Sequence, residues 1–273
     1  MRTQWAQKNE TADKMKVIIV GAGNVGTSIT RALADAGHSV AEVWSRTPAH
    51  AETVANRVGA LPLSDLERIS PDADCYLFCV KDDALEQVIT HMPDTAGIWV
   101  HTAGSLPMEL FASRKSDHGV LYPLQTFSRQ RPLTLAEVPL FIEGSNPETT
   151  EKLEQLAATL SHSVHCMPGE KRKMLHLAAV FACNFVNHLY ALSGEIIARE
   201  DIPFEVLLPL ISETAAKVRE MTPAEGQTGP ATRGDAAVMR QQMMLIEDPP
   251  TREIYRLLSE SIAELTKRNR LLP

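Results

Sequence analysis

Three glycines stand in the run "IIVGAGNVG", residues 18–26, at the spacing G-x-G-x-x-G: Gly21, Gly23 and Gly26. Each place asks for glycine for its own reason. The first lets the chain turn sharply out of a strand. The second lets a pyrophosphate come against the backbone, and the third lets the next helix pack close on the strand it has left. A helix opening at Asn24 and Val25 would aim its free N–H groups at the anion. The pattern therefore predicts dinucleotide binding by Gly21, Gly23, Asn24, Val25 and Gly26. Without a ligand, the same residues read as a glycine-rich turn of an α/β fold.

The second strand selects the nicotinamide coenzyme. A carboxylate at its end would accept hydrogen bonds from the ribose 2′-OH of NAD. After Glu42 this chain has none and reads "WSRTP", with Ser45, Arg46 and Thr47. Two hydroxyls and a guanidinium suit a 2′-phosphate. The expected cofactor is NADP; the alternative for Arg46 is a solvated surface arginine. Further on, Val80 and Lys81 in "CVKDDALEQV" close another strand at the sheet's carboxyl edge, where open α/β sheets bind ligands. Asp82 or Asp83 suits the cap of the next helix better than a substrate contact.

Candidates for the reaction itself come next. In "VHTAGSLPMELF", His101, Thr102 and Ser105 flank a small Ala103-Gly104 turn that would admit a ligand closely. Ser105 could bind a substrate oxygen or cap the helix after Pro107. His101 could be an acid or a satisfied core histidine. "LYPLQTFS" repeats the theme more weakly with Tyr122, Gln125, Thr126 and Ser128. One long helix is predicted from Gly169 to about Glu200. At 100° per residue it gathers His176, Val180, Asn184 and Asn187 on one stripe. The rest of its middle is apolar nearly all round, which implies burial on most sides. A buried polar stripe needs partners: either substrate and nicotinamide, bound by His176 and Asn184, or a structural network.

These residues must be positioned by an alternating chain. Short apolar runs at 16–20, 40–45, 75–80, 97–102, 119–124, 139–144 and 163–167 alternate with helical periods, one starting at Thr47-Pro48 and another at Asn146-Pro147. That order predicts an α/β fold, a Rossmann-type doubly wound and mostly parallel sheet, followed by an all-helical C-terminal domain. The expected divisions are a lead-in over 1–14, a dinucleotide-binding domain over 15–167 and a helical substrate and dimerisation domain over 168–273. The stretch Thr222–Asp235 is rich in Gly and Pro and is expected as a loop; its part Thr228–Asp235 could close the site, and Arg233 could bind a substrate carboxylate or form a surface salt bridge. Methionines in "AAVMRQQMMLI" suit a core or subunit interface.

The 273 residues carry a net charge of −7, which gives no general reason to expect nucleic acid as a partner. No run of about 20 apolar residues free of polar interruption suggests a membrane span. The polar N-terminus has no secretory core. The four cysteines lack metal-site spacing, so no metal is expected, and a reducing, cytoplasmic compartment fits.

Taken together, the glycine motif, "WSRT", "HTAGSLPMELF", "LYPLQTFS", "FACNFVNHLYAL" and "GQTGPATRGD" resemble a family of NADP-dependent oxidoreductases that join a Rossmann-like domain to a helical C-terminal domain of unknown function. The resemblance spans almost everything after Met15. More distantly the chain is similar to pyrroline-5-carboxylate reductase and the β-hydroxyacid dehydrogenases. It implies hydride transfer between nicotinamide and a C=O or C=N of a small substrate, and a homodimer through the helical domain. By resemblance to the reductase, Ala103-Gly104 and the Gly226–Gly234 loop would line the site. The β-hydroxyacid dehydrogenases carry a lysine one turn before the asparagine; here Val180 precedes Asn184, so the proton donor must differ. The alternatives are an imine reductase like pyrroline-5-carboxylate reductase and a non-catalytic NADP(H) sensor.

Overall fold

Lys16–Val20 forms the first strand, β1, and its neighbours sort by side-chain direction. Val17 and Ile19 join one buried cluster while Ile18 and Val20 join another, because successive strand residues point to opposite faces. A strand with no exposed face must be covered on both sides. The computed structural model describes residues 13–128, 130–131 and 133–270 of the chain. The expected lead-in lies outside these apart from Asp13 and Lys14.

The helix α1 (Asn24–Asp35) follows β1, then β2 (Ser39–Trp44), α2 (Pro48–Ala55) and β3 (Leu61–Leu63). Next come β4 (Cys75–Phe78), α3 (Leu85–His91), β5 (Ile98–His101), β6 (His118–Pro123), β7 (Leu140–Gly144), α4 (Pro147–Leu160) and β8 (Val164–Cys166). The eight strands lie in the order β3-β2-β1-β4-β5-β6-β7-β8. All neighbours run parallel except β6 and β7, which are antiparallel. The Rossmann-type expectation is met. The expected strands are present within a residue or two, and β3 is an addition. Its three residues, "LPL", sit at the sheet's edge, where a proline costs no ladder bond that a central strand would need.

Helices α1, α2 and α4 bury Ile29, Leu33, Val54, Leu153 and Leu156 against one face. On the other, α3 and the short helix Met108–Phe111 bury Leu85, Val88 and Phe111 beneath Trp99 and Phe78. Each such side chain contributes about 2 kcal/mol by leaving water. The strand order reverses between β1 and β4. The crevice at that switch point, at the strands' carboxyl ends, is where ligands bind in open sheets.

The remaining chain is helical: α5 (Gly169–Ala179), a π-helical turn (Val180–Phe185), α6 (Val186–Ala198), α7 (Leu208–Lys217), α8 (Pro230–Arg233), α9 (Ala236–Leu245) and α10 (Pro249–Arg270). Two compact units result, one ending at Cys183 and the other starting at Asn184, so the division falls inside the long helical run. The expected long helix runs without a break over Gly169–Ala198, but a π-helical turn lies inside it, so a uniform 100° per residue does not hold from His176 through to Asn187. One expectation is corrected: its apolar residues are not buried in the single chain, where Met174, Leu177, Phe181 and Phe185 are exposed. By length and composition alone, this stretch is long and apolar enough to cross a membrane, as a core helix of a soluble protein also can be.

The tightest spot in the fold is the turn after β1. Gly21 adopts a φ of 121°, which L side chains rarely reach, and a Cβ on Gly26 would lie 1.9 Å from the carbonyl oxygen of Gly21. Gly26→Ala should therefore destabilise the protein by about 3 kcal/mol or more. Equilibrium urea unfolding checks this; an unchanged midpoint would contradict the packing.

Candidate active site

The glycine turn is fixed by backbone bonds before any ligand is considered. The N–H of Gly21 donates to the Trp44 carbonyl at 2.8 Å, and that of Cys79 to the Val20 carbonyl at 2.8 Å. The ends of β1, β2 and β4 are thereby brought level. A Cβ on Gly21 would come within 2.6 Å of the Cys79 oxygen and 3.0 Å of a Val80 methyl. Gly23 differs: its φ is an ordinary −78°, and a Cβ there would meet the chain no closer than 3.9 Å. The protein's own packing does not require glycine at this position; a group approaching the backbone would.

Beside Gly23, α1 begins with no side-chain cap and no acidic residue in its first turn. Its first N–H groups lack intrahelical partners and face outward with the positive end of the helix dipole. The Asn24 amide donates to the Phe127 carbonyl at 2.9 Å, tying a distant loop to the turn. Val25 packs partly into the core. An uncapped helix end behind a glycine with open space fits a diphosphate.

At the end of β2, Ser45 is buried and its hydroxyl accepts a weak bond from the Thr47 N–H at 3.3 Å, leaving its proton free to donate. Thr47 stands at the cap position of α2, yet its side chain makes no capping bond. Arg46 is exposed and makes no ion pair or hydrogen bond among the described residues. Two available hydroxyls and an uncommitted guanidinium suit the 2′-phosphate of NADP.

Across the sheet, Val80 and Lys81 follow β4, with Lys81 exposed. Asp82 opens a short 3-10 turn and accepts the Ser105 hydroxyl proton in a short hydrogen bond. Neither reading of Ser105 from the sequence described this: it neither caps the next helix nor keeps its proton for a substrate, although its lone pairs remain able to accept. The bond joins the loops after β4 and β5.

His101 is the satisfied core histidine. It is 1% exposed, its Nδ1 accepts the Ala103 N–H at 3.2 Å, and its Nε2 faces the Pro107 carbonyl at 3.3 Å. Burial, reinforced by the positive charge of Arg172, depresses its pKa from 6.5 to about 4. Both ring nitrogens are thus engaged by neighbouring backbone groups.

The sequence did not pair Tyr122 with His176, and the structure does. The buried Tyr122, next to last in β6, places its hydroxyl 2.9 Å from Nδ1 of His176 on α5, with the rings edge to face at 5.7 Å. Gly104 lies against both: a Cβ on it would come within 2.7 Å of Nδ1 and 2.8 Å of the phenol ring. What holds α5 there is a buried ion pair. Arg172 is bonded to Glu143 of β7 and donates to the Leu106 carbonyl at 2.7 Å, while Glu143 also accepts the Gly169 N–H at 2.9 Å. Arg172 lies one helical turn before His176, so the ion pair sets where the imidazole sits. Asn184 is exposed and opens the second unit, as the neighbouring Asn187 and His188 are also exposed. The polar stripe is thus not a buried network.

The His101 assignment has a measurable sign. An unfolded histidine takes a proton near pH 6.5, the folded one only near pH 4, so acidification favours the unfolded chain through that window. The stabilisation is complete above pH 6.5 and lost toward pH 4. Between pH 7 and 4 the wild type should lose about 3 kcal/mol more than His101→Gln, from the pH dependence of urea unfolding. Parallel curves would show that His101 does not titrate this way. His38, whose pKa burial also lowers, contributes the same sign to both proteins and cancels in the difference.

Residues 16–100 match the family described as NADP oxidoreductase, coenzyme F420-dependent. Residues 138–262 match a domain of unknown function, DUF2520. No curated protein matches the chain. Among solved structures, a Bacteroides fragilis protein titled "putative NADP oxidoreductase" is 42% identical, with a TM-score of 0.86, over 92% of this chain and 98% of that one. A reductive aminase from Aspergillus terreus, solved with NADPH and ethyl levulinate, is 17% identical with a TM-score of 0.65, over 94% and 99%. The 1-pyrroline-5-carboxylate reductase of Streptococcus pyogenes is 13% identical with a TM-score of 0.59, over 95% and 99%. The last two likenesses are of fold. The expected coenzyme, NADP, is the one for which the family is named. With the glycine turn, the eight-stranded sheet and a relative matched from end to end, this chain belongs to the NADP oxidoreductases that carry a DUF2520 helical domain after the dinucleotide fold.

Proposed function

We propose that the protein is an NADP(H)-dependent oxidoreductase acting on the C=O or C=N of a small substrate. The observation that carries this is Gly23: a glycine that the chain's own packing does not need, open toward an uncapped helix end. Gly21, Gly23, Asn24, Val25 and Gly26 hold the diphosphate through backbone N–H groups. Ser45, Arg46 and Thr47 hold the 2′-phosphate. Val80 and Lys81, at the end of β4, border the nicotinamide, and the substrate lies beside His176 and Tyr122, which pack on Gly104. Bound there, the reduced coenzyme supplies a hydride, and the protein supplies position and electrostatics. The fold shared with the reductive aminase and the pyrroline carboxylate reductase favours, by analogy, C=N among the substrates to test first.

We further propose that the working form is a homodimer joined through the C-terminal helices. In the unit that starts at Asn184, Ala231 is the one buried apolar residue among those described, while Val206, Leu210, Met244 and Leu245 are each more than 60% exposed. Apolar area of this extent marks an interaction surface. A second copy explains it without a membrane, because Arg172 in the first turn of the apolar run is paired inside the sheet unit. The four free thiols suit the cytoplasm.

Calorimetry separates the parts of this reading. Gly23→Ala should keep its thermal midpoint and yet bind NADPH more weakly by at least about tenfold, since a methyl group displaces the diphosphate by an atom's width. Arg46→Ala should weaken NADPH by about tenfold or more and leave NADH nearly unchanged. A wild type that binds neither coenzyme ends the proposal. Light scattering should return twice the mass of one chain; a monomer at micromolar concentration defeats the dimer.

A further inference from the structure

The proton that a reduced carbonyl must receive has to come from a group the family resemblance leaves open, because Val180 stands where related dehydrogenases place lysine. We propose that His176 delivers it from Nε2, with the Tyr122 hydroxyl holding the ring through Nδ1. This rests on the dinucleotide reading above and adds a catalytic residue to it.

From the glycine turn, contacts run without a gap along the carboxyl edge of the sheet. Gly21 lies on Cys79 and Val80; Asp82 accepts the Ser105 hydroxyl; Gly104 lies on the rings of His176 and Tyr122. From β1 to β5 is two strand spacings, about 10 Å. The imidazole thus stands along this edge from the diphosphate turn, at β6 next to β5, packed with Tyr122 against Gly104. Its Nδ1 is taken by Tyr122, whereas its Nε2 has no partner among the described residues and the ring is only partly buried. His101 and Ser105, the other candidates at this edge, are already committed to backbone and to Asp82.

Tyr122 suits the supporting part. Its burial raises the phenol pKa, though the charge of Arg172 pulls the other way. A hydroxyl that keeps its proton can donate to a bare Nδ1 or accept from a protonated one, so it steadies the ring before and after transfer. In the step itself, hydride adds to the carbonyl carbon and leaves oxidised coenzyme. The C=O π pair moves onto oxygen, the Nε2–H bond of the protonated imidazole breaks, and an O–H bond forms. Solvent then returns a proton to the neutral ring. Arg172 and Glu143 act as positioning residues, being paired with each other, the guanidinium buried and the carboxylate largely so.

The first test needs no turnover. Diethylpyrocarbonate labels unprotonated imidazole nitrogens, and mass spectrometry follows each of the nine histidines, with exposed His50 as an internal control. At ten times its dissociation constant, NADPH should slow labelling of His176 by about tenfold. Adenosine 2′,5′-bisphosphate, which has the adenosine end but no nicotinamide, should leave the rate unchanged. Equal protection by both, or none by bound NADPH, overturns the assignment. If calorimetry shows that neither ligand binds, the dinucleotide reading falls along with it, and the two failures are told apart.

The second test splits proton delivery from folding. His176→Asn should lower kcat for a ketone or aldehyde by about 10²- to 10⁴-fold. It should spare reduction of an N-methylated cyclic iminium, whose permanent charge needs no proton. Imidazole added to the buffer should restore part of the lost activity. Tyr122→Phe should cost less than His176→Asn on the carbonyl, with KM for NADPH unchanged. Equal losses on both substrate types, or no loss on the carbonyl, would reduce His176 to a structural residue.

Discussion

One clearance governs the molecule: the near-contact between the carbonyl of Gly21 and the α-carbon of Gly26. No side chain fits between the end of β1 and the first turn of α1. The helix is therefore held against its strand with its amino end level with the carboxyl ends of β1 and β4. Everything that suits this turn to an anion, the uncapped N–H groups, the helix dipole and the open face of Gly23, follows from that approach. The bond from Gly21 to Trp44 carries the same alignment sideways to Ser45, Arg46 and Thr47.

A second constraint works at the other end of the sheet. Burying a guanidinium and a carboxylate is costly, and the cost is recovered only when both are well bonded; removing one partner of such a pair costs about 3–5 kcal/mol. Arg172 and Glu143 meet that condition with Leu106 and the amide of Gly169, although Nε of Arg172 stays without a partner. The pair is weak evidence for stability. It fixes how α5 leaves the sheet, and so the distance between His176 and Tyr122. Burial lowers the His101 pKa, and the same charge adds to that effect. One buried ion pair thus bears on three aromatic or imidazole rings at the carboxyl edge of the sheet.

The C-terminal helices show how far composition alone can mislead about burial. Their apolar residues have the spacing of a core, yet the isolated chain leaves most of them in water. A π-helical turn, Val180–Phe185, lies where the two units meet in sequence. Single π-helical turns inside α-helices are frequent at functional positions.

The sequence by itself determined the doubly wound sheet, the glycine turn and the hydroxyl-rich end of β2, because these depend on local periods and on residues a few places apart. Alternation and glycine spacing are short-range rules, and a strand–turn–helix unit obeys them wherever it occurs. The short strand β3 escaped because three residues are too few to show a period. Only the tertiary structure decided which polar residues work together. Tyr122 and His176 stand 54 positions apart, Glu143 and Arg172 29 apart, and Asp82 and Ser105 23 apart. Nothing in the types of those residues announces such pairings, since they arise only when strand order and crossover lengths set the loops side by side. The same holds for His101, whose polar character suggested chemistry until the neighbouring backbone groups occupied both of its ring nitrogens.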